Sequence, residues 1–288
     1  MSDMLNISKD LEAAYDQAKW APNMKEVLTR YRLSSEAARR AIGEPTRISY
    51  GPRNEEGLDL YTADQQHAPV VIFVHGGAWR GGTAKEHAFL AEMLLAAGIH
   101  FIALDFSSVL DTKGDLAVLV DQIRSAIALV WRTCNSFGGD AKRLYVVGHS
   151  SGAHLAAMAL STHWAAYDLP ENSIKGGVLI SGIYDLGPLR QTSRSKYVHI
   201  DDLIEHQLSP IHHVASLTLP LLLFVGSKES PEYLRQAQDY AKAALQAGKP
   251  ITVSVGEAYN HFEITETLGN PFGFLGRHLL RFVNSEIP

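Results

Sequence analysis

The chain alternates between short runs that are mainly apolar and longer segments whose apolar residues recur at helical spacing. The short runs are rich in β-branched residues, which suits strands that are buried between two helical layers. We predict strands at residues 69–74, 99–104, 144–147, 178–180, 219–225 and 251–255. Strands of this kind indicate a sheet that is covered on both faces.

The segments between these runs carry helical patterns and helix-end signals. The clearest is residues 231–247, where Ser230 is a suitable N-cap, Pro231 fits the first turn and Gly248 marks the stop. Further helices are predicted at residues 84–97, 115–131, 153–160 and 276–284. Strands that alternate with helices imply an α/β fold with a mostly parallel sheet.

Two segments stand outside this alternation. Residues 9–42 are helical in pattern and precede the sheet, and residues 186–216 separate two strands with only weak periodicity. Long excursions at the carboxyl end of a parallel sheet usually cover a ligand site. Neither segment has the composition of a flexible linker. We therefore expect a single domain, residues 1–288, with these two segments as cap elements.

Composition and charge exclude several classes of protein. The chain is 46% hydrophobic and 20% charged, as in ordinary soluble globular proteins. Cys134 is the single cysteine, which excludes a disulfide framework and any multi-cysteine metal site. The formal charge of −5 argues against a nucleic-acid binder, because such proteins usually carry a basic surface. No apolar run approaches the ~20 residues that a membrane span needs. Because residues 1–9 do not resemble a secretory signal, we expect a cytoplasmic protein. A homodimer is left open.

Residues 148–152 read Gly-His-Ser-Ser-Gly, between a predicted strand and a predicted Ala-rich helix. In that context the pattern predicts a sharp turn that lifts the Ser150 hydroxyl off the end of the strand. Gly148 and Gly152 remove side chains that would collide there, and the helix N-terminus favours developing negative charge. The alternative is a structural glycine turn with an N-cap serine. The flanking elements favour a nucleophile.

A serine hydroxyl needs a base, and the base needs an orienting acid. When a nucleophile lies on this kind of turn, the acid and then the base follow later in the chain. Glu229 comes after the strand at residues 219–225, and His261 comes after the last strand. Glu232 is the competing acid, but it falls in the first turn of a helix, where a carboxylate needs no catalytic role. The expected triad is therefore Ser150, Glu229 and His261.

Residues 75–79 read His-Gly-Gly-Ala-Trp, directly after the first long buried strand. Consecutive glycines there allow backbone N–H groups to turn toward a reacting carbonyl. Gly77 and Ala78 are the preferred donors of an oxyanion hole, with Gly76 a lesser one. The backbone N–H of Ser151 completes the hole, and its side chain needs no role.

Trp79 and Tyr184 are the candidate walls of a substrate pocket, Trp79 because it adjoins the oxyanion loop. His149 and His154 are five residues apart, which does not fit the spacing of metal ligands on a helix, and no carboxylate partner accompanies them. His149 is expected to pack beside the nucleophile turn. We expect no metal and no other cofactor.

Several of these segments together resemble the serine-type kynurenine formamidase (arylformamidase) family of the α/β-hydrolase fold. The resemblance runs from about residue 12 to the end of the chain. The matching segments are HGG-x-Trp at 75–79, GHSSGAHLAA at 148–157, SGIYDLGPL at 181–189, LSP at 208–210, ESPEYLRQ at 229–236 and NHFEI at 260–264. The resemblance implies an α/β-hydrolase that cleaves N-formylkynurenine in tryptophan catabolism, with Ser150, Glu229 and His261 as the triad.

This chain departs from the family at two positions. Relatives often carry Asp where this chain has Glu229, which is longer by one methylene. They frequently carry Tyr where this chain has Ala78, so the pocket beside the oxyanion loop could be reshaped.

Three classes of function follow from the residues. The first is an amidase on small N-formyl aryl amides, and the second is a carboxylesterase on short-chain esters. The third is a non-catalytic binding protein, which the complete triad argues against. The expected partner is a small amide or ester, with neither nucleic acid nor membrane, and the expected chemistry proceeds through an acyl-enzyme.

Overall fold

The computed structural model describes residues 10–285 and builds them around an eight-stranded sheet. The strands are β1 (Thr46–Ser49), β2 (Gly57–Tyr61), β3 (Ala68–Val74), β4 (His100–Leu104), β5 (Gly139–His149), β6 (Gly176–Ile180), β7 (Leu221–Gly226) and β8 (Ile251–Gly256). Their order across the sheet is β1-β2-β4-β3-β5-β6-β7-β8. The β1–β2 and β2–β4 pairs are antiparallel, and all other neighbours are parallel. The expected α/β-hydrolase fold with a mostly parallel sheet is confirmed.

Helices connect the strands and cover both faces of the sheet. They are α1 (Gln17–Trp20), α2 (Met24–Ile42), α3 (Ala91–Ala96), α4 (Leu116–Thr133), α5 (Ser151–Leu160), α6 (Asp202–Leu208), α7 (Pro231–Gln246), α8 (Glu263–Glu266) and α9 (Phe274–Asn284). The N-cap of α7 is Ser230, whose hydroxyl accepts from the N–H of Tyr233, and the helix stops before Gly248 at φ +69°. Helix α4 begins at the N-cap Asp115. None of the helices within residues 10–285 has the length and apolar character needed to cross a bilayer.

The core lies in two layers, one on each face of the sheet. One layer packs α4, α5 and α7 against the sheet, and the other packs α2, α3 and α9 against the opposite face. Strands β3, β4 and β6 are buried at every position, which explains why their sequences are apolar throughout except at His100. Every residue of α5 is buried. Its alanines allow that helix to approach the sheet closely.

The predicted helix at residues 84–97 differs from a regular α-helix in its first half. Residues Ala84–Leu90 form a 3₁₀ helix, and α3 then continues to a stop before Gly98 at φ +72°. Ser35 of α2 explains the difference, because its hydroxyl donates to the carbonyl of Glu86 and accepts from the N–H of Phe89. These contacts satisfy backbone groups that a tighter turn leaves without α-helical partners.

The two segments outside the strand–helix alternation are ordered. The first is helical over residues 10–15, α1 and α2. The second contains short 3₁₀ turns and α6. Both contribute side chains to the cavity above the carboxyl edge of the sheet. Residues 1–9, for which the sequence argued against a secretory signal, lie outside the described residues.

Candidate active site

Ser150 occupies a strained turn between β5 and α5. Its backbone has φ +56° and ψ −125°, which residues other than glycine rarely adopt. The flanking glycines are required by close backbone packing. A Cβ on Gly148 would lie 2.5 Å from the carbonyl oxygen of Gly152, and a Cβ on Gly152 would lie 2.2 Å from that of Val74. The turn therefore presents the hydroxyl above the end of β5, as the pentapeptide predicts.

His261 and Glu229 lie in line with that hydroxyl. The Oγ atom of Ser150 is 2.9 Å from Nε2 of His261, and Nδ1 of His261 is 2.7 Å from Oε2 of Glu229. The three residues are 7%, 3% and 2% exposed, so water competes little for these hydrogen bonds. With Glu229 at Nδ1, the neutral imidazole is held with Nε2 as an acceptor facing the serine. This arrangement can activate a hydroxyl as a nucleophile.

The second carboxylate oxygen of Glu229 is also held in place. Oε1 accepts from the backbone N–H of Gly226, at 2.7 Å, and from the hydroxyl of Ser181. Ser181 directly follows β6 and has φ +52°, an uncommon conformation for a residue other than glycine. The longer carboxylate thus reaches His261 with both oxygens fixed. Sequence reasoning missed Ser181, although the residue opens the SGIYDLGPL segment.

Glu232, the competing acid, is directed away from His261. Its carboxylate accepts from Oη of Tyr15, at 2.6 Å, and from both Nε and Nη2 of Arg235. Arg235 and Tyr15 lower the pKa of Glu232 against the opposing effect of burial. Glu232 therefore links the N-terminal segment to α7, and the geometry distinguishes the two acids.

The loop after β3, where the sequence predicts an oxyanion hole, is sharply bent. Gly77 has φ +129°, and the next two residues, Ala78 and Trp79, both lie in the left-handed region. A Cβ on Gly77 would lie 1.9 Å from the carbonyl oxygen of Gly81, so only glycine fits there. The N–H of Trp79 donates to Oγ of Ser151, at 3.1 Å. Contrary to the expectation from sequence, the Ser151 side chain has a role, since it ties this loop to α5.

Two further histidines support the site without taking a metal-binding arrangement. The ring of His149 lies 4.8 Å from that of His261, and its Nε2 donates to the backbone carbonyl of His261 at 2.9 Å. Burial lowers the pKa of His149 well below its usual value, so its ring is neutral. His154 donates from Nε2 to the carbonyl of Leu208, while its Nδ1 accepts from the Trp79 indole. Within residues 10–285, no three His, Cys, Asp or Glu side chains converge as ligands of one ion.

The chain matches known hydrolases over most of its length. The BD-FAE family matches residues 58–243. Kynurenine formamidase of Danio rerio is 32% identical over 99% of this chain and 100% of its own length. The isoprenylcysteine alpha-carbonyl methylesterase ICME of Arabidopsis thaliana is 30% identical over 75% of this chain and 56% of its own length.

A solved structure shows the same fold at lower identity. The crystal structure of a putative thioesterase from Silicibacter sp. TM1040 superposes with a TM-score of 0.82, is 22% identical, and covers 96% of this chain and 99% of that one. The superposition shows the fold, and the full-length match to kynurenine formamidase at 32% identity shows the family.

The chain belongs to the kynurenine formamidase family of α/β-hydrolases. It is a serine hydrolase, as the curated relatives that it matches over their full length are hydrolases of this family.

Two cavities meet at Ser150 and His261 of this hydrolase. The smaller, of about 250 Å³, extends toward α2 and is lined by Leu28, Tyr31 and His87. The larger, of about 450 Å³, extends beneath the N-terminal segment and the insertion that follows β6. A substrate bound at Ser150 thus has one space for each side of its scissile bond.

The two aromatic residues expected to form pocket walls lie behind the walls instead. Trp79 is 1% exposed, and its indole donates to His154 in the core. Tyr184 is wholly buried and stacks on Tyr240 at 4.4 Å. Neither lines a cavity that contains Ser150, which corrects the interpretation drawn from adjacency in sequence. Aromatic walls come from Tyr31, on α2, and from Tyr233, on α7.

Proposed function

We propose that Ser150 is the nucleophile, His261 the general base and Glu229 the orienting acid of an arylformamidase. The carrying observation is the unbroken hydrogen-bond sequence from Ser150 Oγ through His261 to Glu229, at 2.9 Å and 2.7 Å. In the first step His261 Nε2 takes the hydroxyl proton while Oγ bonds to the formyl carbon. Glu229 stabilises the imidazolium that forms.

The tetrahedral intermediate carries its negative charge on the former carbonyl oxygen. We assign its stabilisation to the backbone N–H groups of Gly77, Ala78 and Ser151, with Gly76 as a lesser contributor. Gly76 supports this assignment because a Cβ there would lie 3.0 Å from that of Ser150, so the loop backbone approaches the nucleophile closely. Preorganised donors of this kind need no reorganisation as the charge develops.

Collapse of the intermediate breaks the carbon–nitrogen bond. His261 gives its proton to the departing amine, which leaves Ser150 formylated. Water then loses a proton to His261 and attacks the formyl carbon, and formate departs as Oγ recovers the proton. The cycle needs only the triad, water and the oxyanion donors.

N-formylkynurenine is the substrate we propose for this chain. The full-length similarity to a kynurenine formamidase supports it, and so does the larger cavity, which carries both cationic and anionic side chains suited to an amino-acid leaving group. The test is kcat/KM for N-formylkynurenine beside p-nitrophenyl acetate and butyrate. A value for N-formylkynurenine at least tenfold above both esters supports the proposal, and the reverse order overturns it.

Carboxylesterase activity on short-chain esters is the second candidate function. The smaller cavity favours it, since a formyl group has only a hydrogen on its acyl side and does not fill about 250 Å³. Tyr31 and Leu28 give that space apolar surface for a short acyl chain. Activity that rises from the formyl to the butyryl ester of one alcohol would favour this function.

Three expectations from the sequence belong with this proposal. We propose that residues 9–42 and 186–216 act as a cap on a single domain, because side chains from both line the larger cavity.

We propose that the enzyme acts in the cytoplasm, with Cys134 as a buried free thiol. Multi-angle light scattering tests the homodimer, and a single mass of 31.6 kDa would overturn it.

A further inference from the structure

The larger cavity contains a cation, Arg194, that forms no ion pair with a carboxylate of residues 10–285. Arg194, on the insertion that follows β6, lines this cavity together with Ser150. Its Nη2 donates to the backbone carbonyl of Tyr15, at 2.9 Å. Its guanidinium faces the rings of Tyr15 and Trp79 at 5.5 Å and 6.0 Å. These contacts fix the position of the guanidinium while leaving donors free, since a guanidinium carries five N–H groups.

Two acidic side chains near this cavity, Glu12 on its wall and Glu232 behind it, have other partners. Glu12 accepts from both the N–H and the hydroxyl of Ser193. Glu232 is bound by Tyr15 and Arg235. Tyr15, Tyr197 and Tyr233, whose hydroxyls are uncharged near neutral pH, surround Arg194 in this cavity. A partly buried cation without a close counter-ion is costly unless an anion completes the site.

Tyr233 provides a second, independent observation at the same place. Its side chain is 1% exposed, and its Oη has no hydrogen-bond partner among the described residues. The hydroxyl adjoins both Ser150 and Arg194, and the ring packs edge-on against His261 at 4.8 Å. A buried hydroxyl in a native structure normally has a partner. Because Tyr233 also lines the cavity that contains Ser150, its hydroxyl is placed to donate to a polar group of a bound ligand.

We propose that Arg194 and Tyr233 form a binding site for a carboxylate on the leaving-group side of the substrate. Arg194 supplies the paired N–H donors that match a carboxylate, and Tyr233 donates its hydroxyl to the same group. The inference rests on the proposed function, whose leaving amine carries an amino-acid carboxylate. Arg80, whose guanidinium lies 4.3 Å from the Tyr197 ring on the cavity wall, adds positive potential near the entrance.

The test compares two ligands that differ only in this charge. L-kynurenine and its carboxamide are used as competitive inhibitors of p-nitrophenyl acetate hydrolysis by the full chain. The wild type is expected to bind L-kynurenine at least tenfold more tightly than the carboxamide, because hydrogen bonds to charged groups exceed those to neutral ones. Equal inhibition constants would overturn the proposal. Because the assay uses an ester, it remains informative if N-formylkynurenine proves not to be a substrate.

Substitutions locate the preference in the two residues. Arg194→Gln is expected to raise the inhibition constant of L-kynurenine about 10- to 100-fold and that of the carboxamide less than threefold. Arg194→Lys should recover part of the loss, and Tyr233→Phe should weaken L-kynurenine several-fold more than the carboxamide. The matched control is Arg190→Gln in the same insertion, where Arg190 pairs with Asp202 at 2.6 Å.

A structural role for Arg194 predicts a different result. If Arg194→Gln weakens both ligands equally, or if Arg190→Gln reproduces its effect, the carboxylate site is wrong. Thermal melts of each variant identify any that fail to fold. If Arg194→Gln fails to fold, the decision rests on Arg194→Lys and on the ratio of the two inhibition constants for the wild type. The wild type is folded, so equal inhibition constants for it cannot be attributed to misfolding.

Discussion

Oε2 of Glu229 lies 2.7 Å from Nδ1 of His261. This chain therefore keeps the contact between acid and base although it has Glu where its relatives often have the shorter Asp. The distance is met because Gly226 and Ser181 hold the other carboxylate oxygen. Both partners of the acid come from the ends of neighbouring parallel strands. These two hydrogen bonds fix the carboxylate so that the longer side chain still contacts His261.

Glu229→Gln is expected to lower kcat by about 10²–10⁴, because an amide can hold the imidazole in the wrong tautomer and does not stabilise the imidazolium. Steady-state kinetics on one activated ester provide the measurement. The matched control is Glu232→Gln, three residues away and also buried, whose carboxylate accepts from Tyr15 instead of His261. That variant should change kcat less than a few-fold. Loss of activity in Glu232→Gln with activity retained in Glu229→Gln would reverse the assignment.

Ser150→Ala is expected to lower kcat by on the order of 10⁶ while the fold persists. Ser150→Gly should be equally inactive but more stable than Ser150→Ala by about 1 kcal/mol, because glycine adopts φ +56° without strain. Burst-phase kinetics and urea unfolding of both variants provide the measurements. Residual turnover above a tenth of wild type would exclude Ser150 as the nucleophile, and an alanine variant as stable as the glycine variant would exclude strain at the turn.

Features of the site that depend on local sequence were predictable. The turn at Ser150, the glycines of residues 76–77 and the N-cap Ser230 are each specified within a few residues by steric and hydrogen-bonding requirements. The strand order then selected His261 from among 13 histidines. Position along the chain sufficed because the ends of parallel strands meet at one edge of the sheet.

Features that arise from contacts distant in sequence were not predictable. The sequence pattern does not predict β1 and β2, because β2 has the charged Asp59 in its centre. Asp59 is buried in the fold since Arg47, on the neighbouring strand, forms an ion pair with it at 2.9 Å. The cavity walls were missed for the same reason. Arg194 comes from an insertion of weak periodicity, and its position depends on Tyr15, which is 179 residues away.

Activity is expected to survive prolonged chelation with EDTA or dipicolinate, since the proposed steps need only the triad, water and backbone donors. The measurement is kcat on N-formylkynurenine and on p-nitrophenyl acetate before and after treatment, with metal content followed by plasma mass spectrometry. Loss of activity that added zinc restores would contradict a metal-independent mechanism. Loss that zinc does not restore, accompanied by a lower melting temperature, would indicate damage to the fold by the treatment.

Acid is expected to destabilise the folded enzyme through His154. Burial lowers the pKa of His154 to about 4 in the folded state, against an ordinary value of 6.5. The unfolded chain therefore binds a proton that the folded chain resists, and the free energy of unfolding falls as pH drops from 6.5 toward 4. The contribution is at most about 3 kcal/mol across that window. His87, with a pKa lowered to about 3 by burial, adds to the same slope.

Urea unfolding at pH 8, 6.5, 5 and 4 measures this slope for the wild type and for two variants. His154→Gln should be less stable than wild type at pH 8, because the Trp79 and Leu208 hydrogen bonds are disturbed, yet it should lose less stability on acidification. The exposed His163 provides the control, since His163→Gln should follow the wild-type curve. Trp79 connects His154 to the site, because its indole contacts His154 and its backbone N–H donates to Ser151. If His154→Gln loses as much stability on acidification as the wild type, His154 is not the source of the acid sensitivity.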